Sequence, residues 1–205
     1  MRGLCFGISS IAAGMLLAAV AIWPAGAAAQ MAPAPMKTGA GAIPAVRQKA
    51  PDFALADLGG STVKLSDQTA RGPVVLVVLR GWPGYQCPFC TRQFGEYLAH
   101  ASDVAATGAQ VVFVYPGPAD GLKEHAQAFT ADRPLPASFR ILLDPDYTFT
   151  QAYGLRWDAP KETAYPSTFV LDTRGIVIFA RTSRAHGERV PVADVLAALA
   201  TPAKN

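Results

Sequence analysis

The chain has 205 residues, a formal net charge of only +3 and no run of Lys or Arg, which argues against nucleic acid or an anionic membrane surface as partner. Hydrophobic residues make up 51% of it, but the excess is concentrated at the start, and the rest of the chain suffices for one domain of ordinary size. Cys5 lies in that apolar start, so Cys87 and Cys90 are the two cysteines expected in the mature protein.

Residues 1–29 read as a secretory signal peptide. Met1-Arg2 is a short positive region, Ile11 to Trp23 is almost wholly apolar, Pro24 and Gly26 break it, and Ala27-Ala28-Ala29 offers a cleavage site. The alternative is an uncleaved anchor, because Leu4 to Trp23 approaches the roughly 20 residues that span a bilayer. Export places the domain in the periplasm, or facing it from an anchor, where an exposed dithiol stays reduced only if a partner reduces it. Residues 30–49, rich in Ala, Pro and Gly, read as a flexible linker, and a single domain is expected over 50–201.

Pro51 to Leu58, the turn Gly59-Gly60 and Ser61 to Leu65 predict a β-hairpin. Ser66-Asp67 is expected to cap a short helix reaching Ala70. Val74 to Leu79 is apolar at every position, as in a central strand covered on both faces. A helix is expected from Pro88 to Ala106, then a strand at Gln110–Tyr115, a helix over Ala119–Ala131 with Leu122, Ala126 and Phe129 on one side, and a strand at Phe139–Leu143. This alternation implies parallel strands joined by right-handed crossovers. A short helix at Asp146–Tyr153 closed by Gly154, a hairpin of Tyr165–Leu171 with Ile176–Ala180, and a last amphipathic helix from Pro191 to Ala200 complete the domain.

Trp82-Pro83-Gly84-Tyr85-Gln86-Cys87-Pro88-Phe89-Cys90 joins the first long strand to the first long helix, and a C-x-x-C pair at such a junction is a redox arrangement. The unpaired N–H groups and the dipole of a helix start favour a thiolate, which makes Cys87 the nucleophile. Cys90, one turn on, is placed to resolve a mixed disulfide and close a Cys87–Cys90 disulfide. The alternatives are a structural disulfide in a non-enzymatic binding module, and half of a zinc site. For zinc there is no second C-x-x-C and no close His pair, only His100, His125 and His186. No cofactor or metal is called for. Lys123-Glu124-His125 and His100 read as solvated helix faces, and the polar stretch Arg184 to Arg189 reads as a loop without a role.

The order of elements, the C-x-x-C after the first long strand, Tyr165-Pro166-Ser167-Thr168-Phe169 and the Asp172-Thr173-Arg174-Gly175 turn resemble the thioredoxin-like superfamily. Ala50-Pro51-Asp52-Phe53, Val63 to Asp67, and Leu143-Asp144-Pro145 leading to Tyr153-Gly154-Leu155 resemble its AhpC/TSA redoxin branch. The resemblance implies an α/β thioredoxin-like fold: a central mixed sheet flanked by helices, with an N-terminal β-hairpin extension. It implies a thiol-disulfide oxidoreductase or a peroxiredoxin-like thiol peroxidase, acting on a protein or low-molecular-weight disulfide or dithiol, or on a hydroperoxide. Cys87 then maps to the nucleophile and Cys90 to the resolving cysteine. Pro166 maps to the cis-proline facing the dithiol, with the Tyr165 backbone available to a bound peptide. A peroxiredoxin of this kind carries Pro and Thr seven and three residues before its cysteine and an Arg later; here those positions hold Arg80, Gly84 and Pro166. Arg80 is a candidate substitute donor, and Trp82 with Tyr85 a candidate substrate rim.

Overall fold

The computed structural model describes residues 41–131 and 133–201, so the signal segment and the linker up to residue 40 lie outside the described residues. The order of elements is β1 (Ala54–Ala56), β2 (Thr62–Lys64), α1 (Leu65–Thr69), β3 (Val74–Val78), α2 (Pro88–Ala99), α3 (Ala101–Ala106), β4 (Gln110–Gly117), α4 (Leu122–Thr130), β5 (Phe139–Pro145), α5 (Thr148–Ala152), β6 (Ser167–Leu171), β7 (Val177–Thr182) and α6 (Val192–Ala200). β1 and β2 form a separate antiparallel hairpin, and the main sheet has the order β5-β4-β3-β6-β7. β3, β4 and β5 are parallel; β6 and β7 run antiparallel to their neighbours β3 and β6, giving the expected mixed sheet.

β3 is buried at every residue because it lies mid-sheet under two layers. Its alternation sends Val75, Val77 and Leu79 into one core with Phe94 and Tyr97 of α2 and Val192 and Val195 of α6. Val74, Leu76 and Val78 enter the other core with Phe149, Tyr153 and Phe169. Each such side chain removed from water stabilises the fold by about 1.5–3 kcal/mol. Each edge of the sheet gains a bridge from the chain ahead of β3: Asp57 of the hairpin segment to Leu142 of β5, and Lys49 to Ile176 just ahead of β7.

Four expectations are corrected. Residues 41–49 are not a free end of the spacer: Arg47 N–H donates to Val177 O (2.8 Å), Gln48 O accepts from Val177 N–H (2.9 Å), and Gly41 N–H reaches Gln151 O (3.1 Å). Ser66-Asp67 does not cap α1, which starts at Leu65; Ser66 N–H instead donates to Asp52 Oδ1 (3.0 Å). The long helix breaks at His100 (φ −105°, ψ 19°), whose ring meets Asp103 in the first turn of α3. Tyr97 and Val104 serve the same core on either side of that break, so the apolar spacing runs through it unmarked. Asp146 and Tyr147 are left-handed, and α5 begins after them because the buried Asp144 carboxylate accepts the N–H groups of Phe149 (2.7 Å) and Thr150 (3.1 Å).

Candidate active site

Beyond β3 the chain turns sharply. Gly81 has φ 62°, and a side chain there would run into the backbone of Pro116, so only glycine fits. Trp82 N–H donates to Pro116 O (2.9 Å). Gln86 is held at both ends of its amide, donating to His125 O (2.7 Å) and accepting from the Tyr115 hydroxyl (2.9 Å). Cys87 is thereby set as the N-cap of α2, with Pro88 in the first turn, where a missing N–H costs nothing.

Cys87 and Cys90 are unbonded thiols, each 1% exposed. The Cys90 thiol, hydrogen-bonded to the Cys87 sulfur, is the main influence drawing the Cys87 pKa down, to about 5; burial opposes it, and the N–H of Cys90, the charge of Arg189 and the N–H of Phe89 assist. Burial, with the neighbouring Cys87, holds Cys90 well above the ordinary thiol value, while Arg189 pulls it back. At neutral pH Cys87 carries the charge and Cys90 the proton. Thiolate absorbance of the reduced protein is therefore expected to rise through one inflection near 5, with the second thiolate appearing only in alkali. One joint step at the ordinary thiol value of about 8.5 would refute the assignment.

The cation at the sulfurs is Arg189, and this corrects the expectation that residues 184–189 form a loop without a role. Its Nη2 lies 3.7 Å from Cys90 Sγ and 4.0 Å from Cys87 Sγ. Nη1 donates to His186 O (2.6 Å) and Glu188 O (2.7 Å), and Nε–H is buried without a partner. A side chain at Gly187 of the same loop would touch the Phe89 ring, so residues 184–189 border the C-x-x-C segment.

Arg80 does not take the role expected of it. Its Nε donates to Glu162 Oε2 (2.8 Å), its Nη1 to the Tyr85 hydroxyl and its Nη2 to Lys161 O (2.7 Å). Only its backbone N–H meets the site, at 3.4 Å from Cys90 Sγ. The other oxygen of Glu162 pairs with His186 Nε2 (2.8 Å), so one largely buried carboxylate ties the end of β3 to the Arg189 loop. Gly84 has φ 101°, a conformation in which a β-branched Thr would be strained.

Pro166 is buried, accepts Ser183 N–H through its carbonyl (2.8 Å) and lines a cavity that Arg189 also lines. Tyr165 stacks on Trp157 (ring centroids 4.7 Å apart); its N–H donates to Leu155 O (2.9 Å), and its carbonyl accepts from Ser167 Oγ (2.9 Å). A peptide would thus compete with internal partners for the Tyr165 backbone. Trp82 is half-buried and stacks on His125 (3.6 Å), which takes His125 out of the solvated face expected for it; Tyr85 stays exposed. Among the described residues no three His, Cys, Asp or Glu side chains gather as metal ligands would.

A family model described as the AhpC/TSA family matches residues 46–180. The chain belongs to the AhpC/TSA family. A putative peroxiredoxin of Mycobacterium tuberculosis is 29% identical over 140 residues, covering 65% of this chain and 82% of that protein. The crystal structure of peroxidoxin BcpB, also from M. tuberculosis, aligns with TM-score 0.59 at 25% identity over 80% of this chain and 96% of that one. A putative thiol:disulfide interchange protein DsbE from Chlorobium tepidum aligns with TM-score 0.56 at 30% identity over 76% of this chain and 99% of that one. Family, relatives and paired cysteines make this AhpC/TSA chain a thiol-dependent oxidoreductase with the thioredoxin-like fold, which sets aside the non-enzymatic module. The family match ends at Ala180, so it does not contain Arg189 or His186.

Proposed function

We propose that this AhpC/TSA chain is an exported thiol-disulfide oxidoreductase. The observation that carries the reading is the division of labour at the start of α2: a thiolate at Cys87, a protonated Cys90 one turn later, and Arg189 against both. In exchange, the Cys87 thiolate attacks one sulfur of a disulfide R–S–S–R, and one R–S⁻ leaves and takes up a proton. Cys90 then loses its proton and attacks Cys87 Sγ; the second R–S⁻ leaves, a Cys87–Cys90 disulfide forms, and two electrons have passed to the substrate. An external dithiol returns the pair to the reduced state. Arg189 favours the sulfur that is anionic at each stage.

Cys90→Ser is expected to accumulate a mixed disulfide through Cys87 that a reducing agent releases. Absence of any trapped adduct under oxidising turnover would overturn the proposal. Export is part of the same reading, supported by the apolar start and Ala27-Ala28-Ala29; recovery of the protein in the cytoplasmic fraction would remove it, whereas a membrane-bound form still beginning at Met1 would replace cleavage by the anchor.

A second reading, thiol peroxidase, is favoured by the peroxiredoxin relatives and by the unpartnered Nε–H of Arg189, whose Nη2 meets the sulfurs. Cys87 thiolate would take the terminal oxygen of a hydroperoxide, releasing an alkoxide that is protonated, and Cys90 would displace water from the sulfenic acid. With Arg80 committed to Glu162 and Gly84 carrying no hydroxyl, oxidation of Cys87 by hydrogen peroxide is expected to lag behind exchange with a disulfide. Peroxide oxidation outpacing exchange would reverse the order of the two readings.

A further inference from the structure

A cavity of about 410 Å³, within the range of small-ligand sites, opens beside the dithiol between α2, the start of α6 and the β6–β7 strands. Arg189 lines this space and also reaches the sulfurs through Nη2. Its lining includes Gln93, 3% exposed, whose buried Oε1 has no hydrogen-bond partner. The Arg189 Nε–H is likewise buried and unmatched. Both residues line the cavity, and an acceptor and a donor buried without partners cost stability, which a ligand drawing the two side chains toward itself would recover.

The mouth carries opposite charges. Arg181 of β7 and Asp194 of α6 both line it, both are exposed, and among the described residues neither is paired with an ion of opposite sign. Glu188, also at the rim, is engaged through Oε2 by the Ser183 hydroxyl (3.0 Å). A guanidinium and a carboxylate, in a cavity whose lining also carries an unmatched acceptor on Gln93 and an unmatched donor on Arg189, match a zwitterion. A carboxylate would meet Arg181 and an ammonium Asp194; shifts of the Arg189 and Gln93 side chains would bring their unmatched Nε–H and Oε1 to the same two groups. A purely apolar or singly charged ligand leaves half of these groups unpaired.

We propose that this cavity is a subsite for the amino-acid end of a small zwitterionic disulfide, such as cystine or a short peptide derived from it, with the disulfide sulfurs directed past Arg189 toward Cys87. The inference rests on the exchange reading above and specifies its substrate class. The bond changes are those of that exchange; the subsite holds the part of the substrate that does not react.

The test measures kcat/KM of the reduced protein with four disulfides: cystine (zwitterionic), cystamine (cationic), dithiodipropionate (anionic) and hydroxyethyl disulfide (neutral). Each value is divided by the rate of the same disulfide with dithiothreitol, which removes differences in intrinsic reactivity. Cystine is expected to lead the neutral probe by about tenfold, the effect of roughly 1.4 kcal/mol of selective binding. Arg181→Gln is expected to lower the normalised values for cystine and dithiodipropionate relative to cystamine, and Asp194→Asn those for cystine and cystamine relative to dithiodipropionate. Normalised values equal across the four probes, or unmoved by both substitutions, would overturn the subsite while leaving the exchange reading in place. No exchange with any probe would overturn the exchange reading and the subsite with it.

Discussion

Glu162→Ala is expected to lower the unfolding free energy by about 3–5 kcal/mol, the usual cost of stranding one partner of a buried ion pair. Arg80 is 2% exposed at its side chain and Glu162 11%, so the guanidinium left behind could not turn to water. Burial by itself would lower the Arg80 pKa; its hydrogen bonds to Glu162 and Tyr85 outweigh that and hold it above the normal arginine value. In a domain of this size each kcal/mol shifts Tm by roughly 2–4 °C, so a fall on the order of 10 °C should be read in a thermal melt. Replacing both partners by apolar residues, Arg80→Met with Glu162→Leu, should return most of the loss, because no charge is then stranded. A melt of Glu162→Ala that matches the parent would show that the pair carries no net stability. The same substitution also frees His186, so the loop holding Arg189 loses one of its ties.

The second large effect is expected from Arg189→Met, which keeps the bulk of the side chain and removes the charge. A unit charge 4 Å away is worth about 4 kcal/mol at the effective dielectric near a protein surface, and partial exposure reduces it. The Cys87 pKa is expected to rise by on the order of one unit, each unit being about 1.4 kcal/mol. Resolution by Cys90 should slow by about tenfold or more, since Arg189 is the positive charge drawing that buried thiol toward its reactive form. The readouts are the thiolate titration and the lifetime of the mixed disulfide in single turnover. Arg189→Lys, which restores a charge without the guanidinium fork, should recover part of both. An unchanged titration together with an unchanged lifetime would assign Arg189 to packing alone.

The dithiol could be read from the chain because its chemistry is local. Cys87, Pro88 and Cys90 share one helical turn, the preceding apolar run announces the strand, and the N-cap position follows from the junction. Arg189 could not be read in the same way. It stands 99 residues from Cys90, in a polar stretch that looks like any solvated connection, and no periodicity leads to it. Arg80 misleads for the opposite reason: it lies near the cysteines in sequence, yet its side chain is claimed by Glu162, 82 residues away. Helix ends follow the same division. The start of α5 depends on Asp144, a buried acceptor shortly before the left-handed Asp146 and Tyr147, and the break at His100 leaves the apolar spacing undisturbed.

The sequence by itself determined the α/β class, the alternation that makes β3 central, the placement of a redox pair at a helix start, and the likeness to the AhpC/TSA branch. Those properties arise from spacing within a few residues, where chain geometry leaves little choice. The tertiary structure alone decided which cation faces the sulfurs, which arginine is spent on an ion pair, and that a charged cavity opens beside the dithiol. Electrostatic interactions act through space over a few ångströms, so partners from β3, the 157–163 loop and the 184–189 loop meet only when the sheet order has brought their ends together.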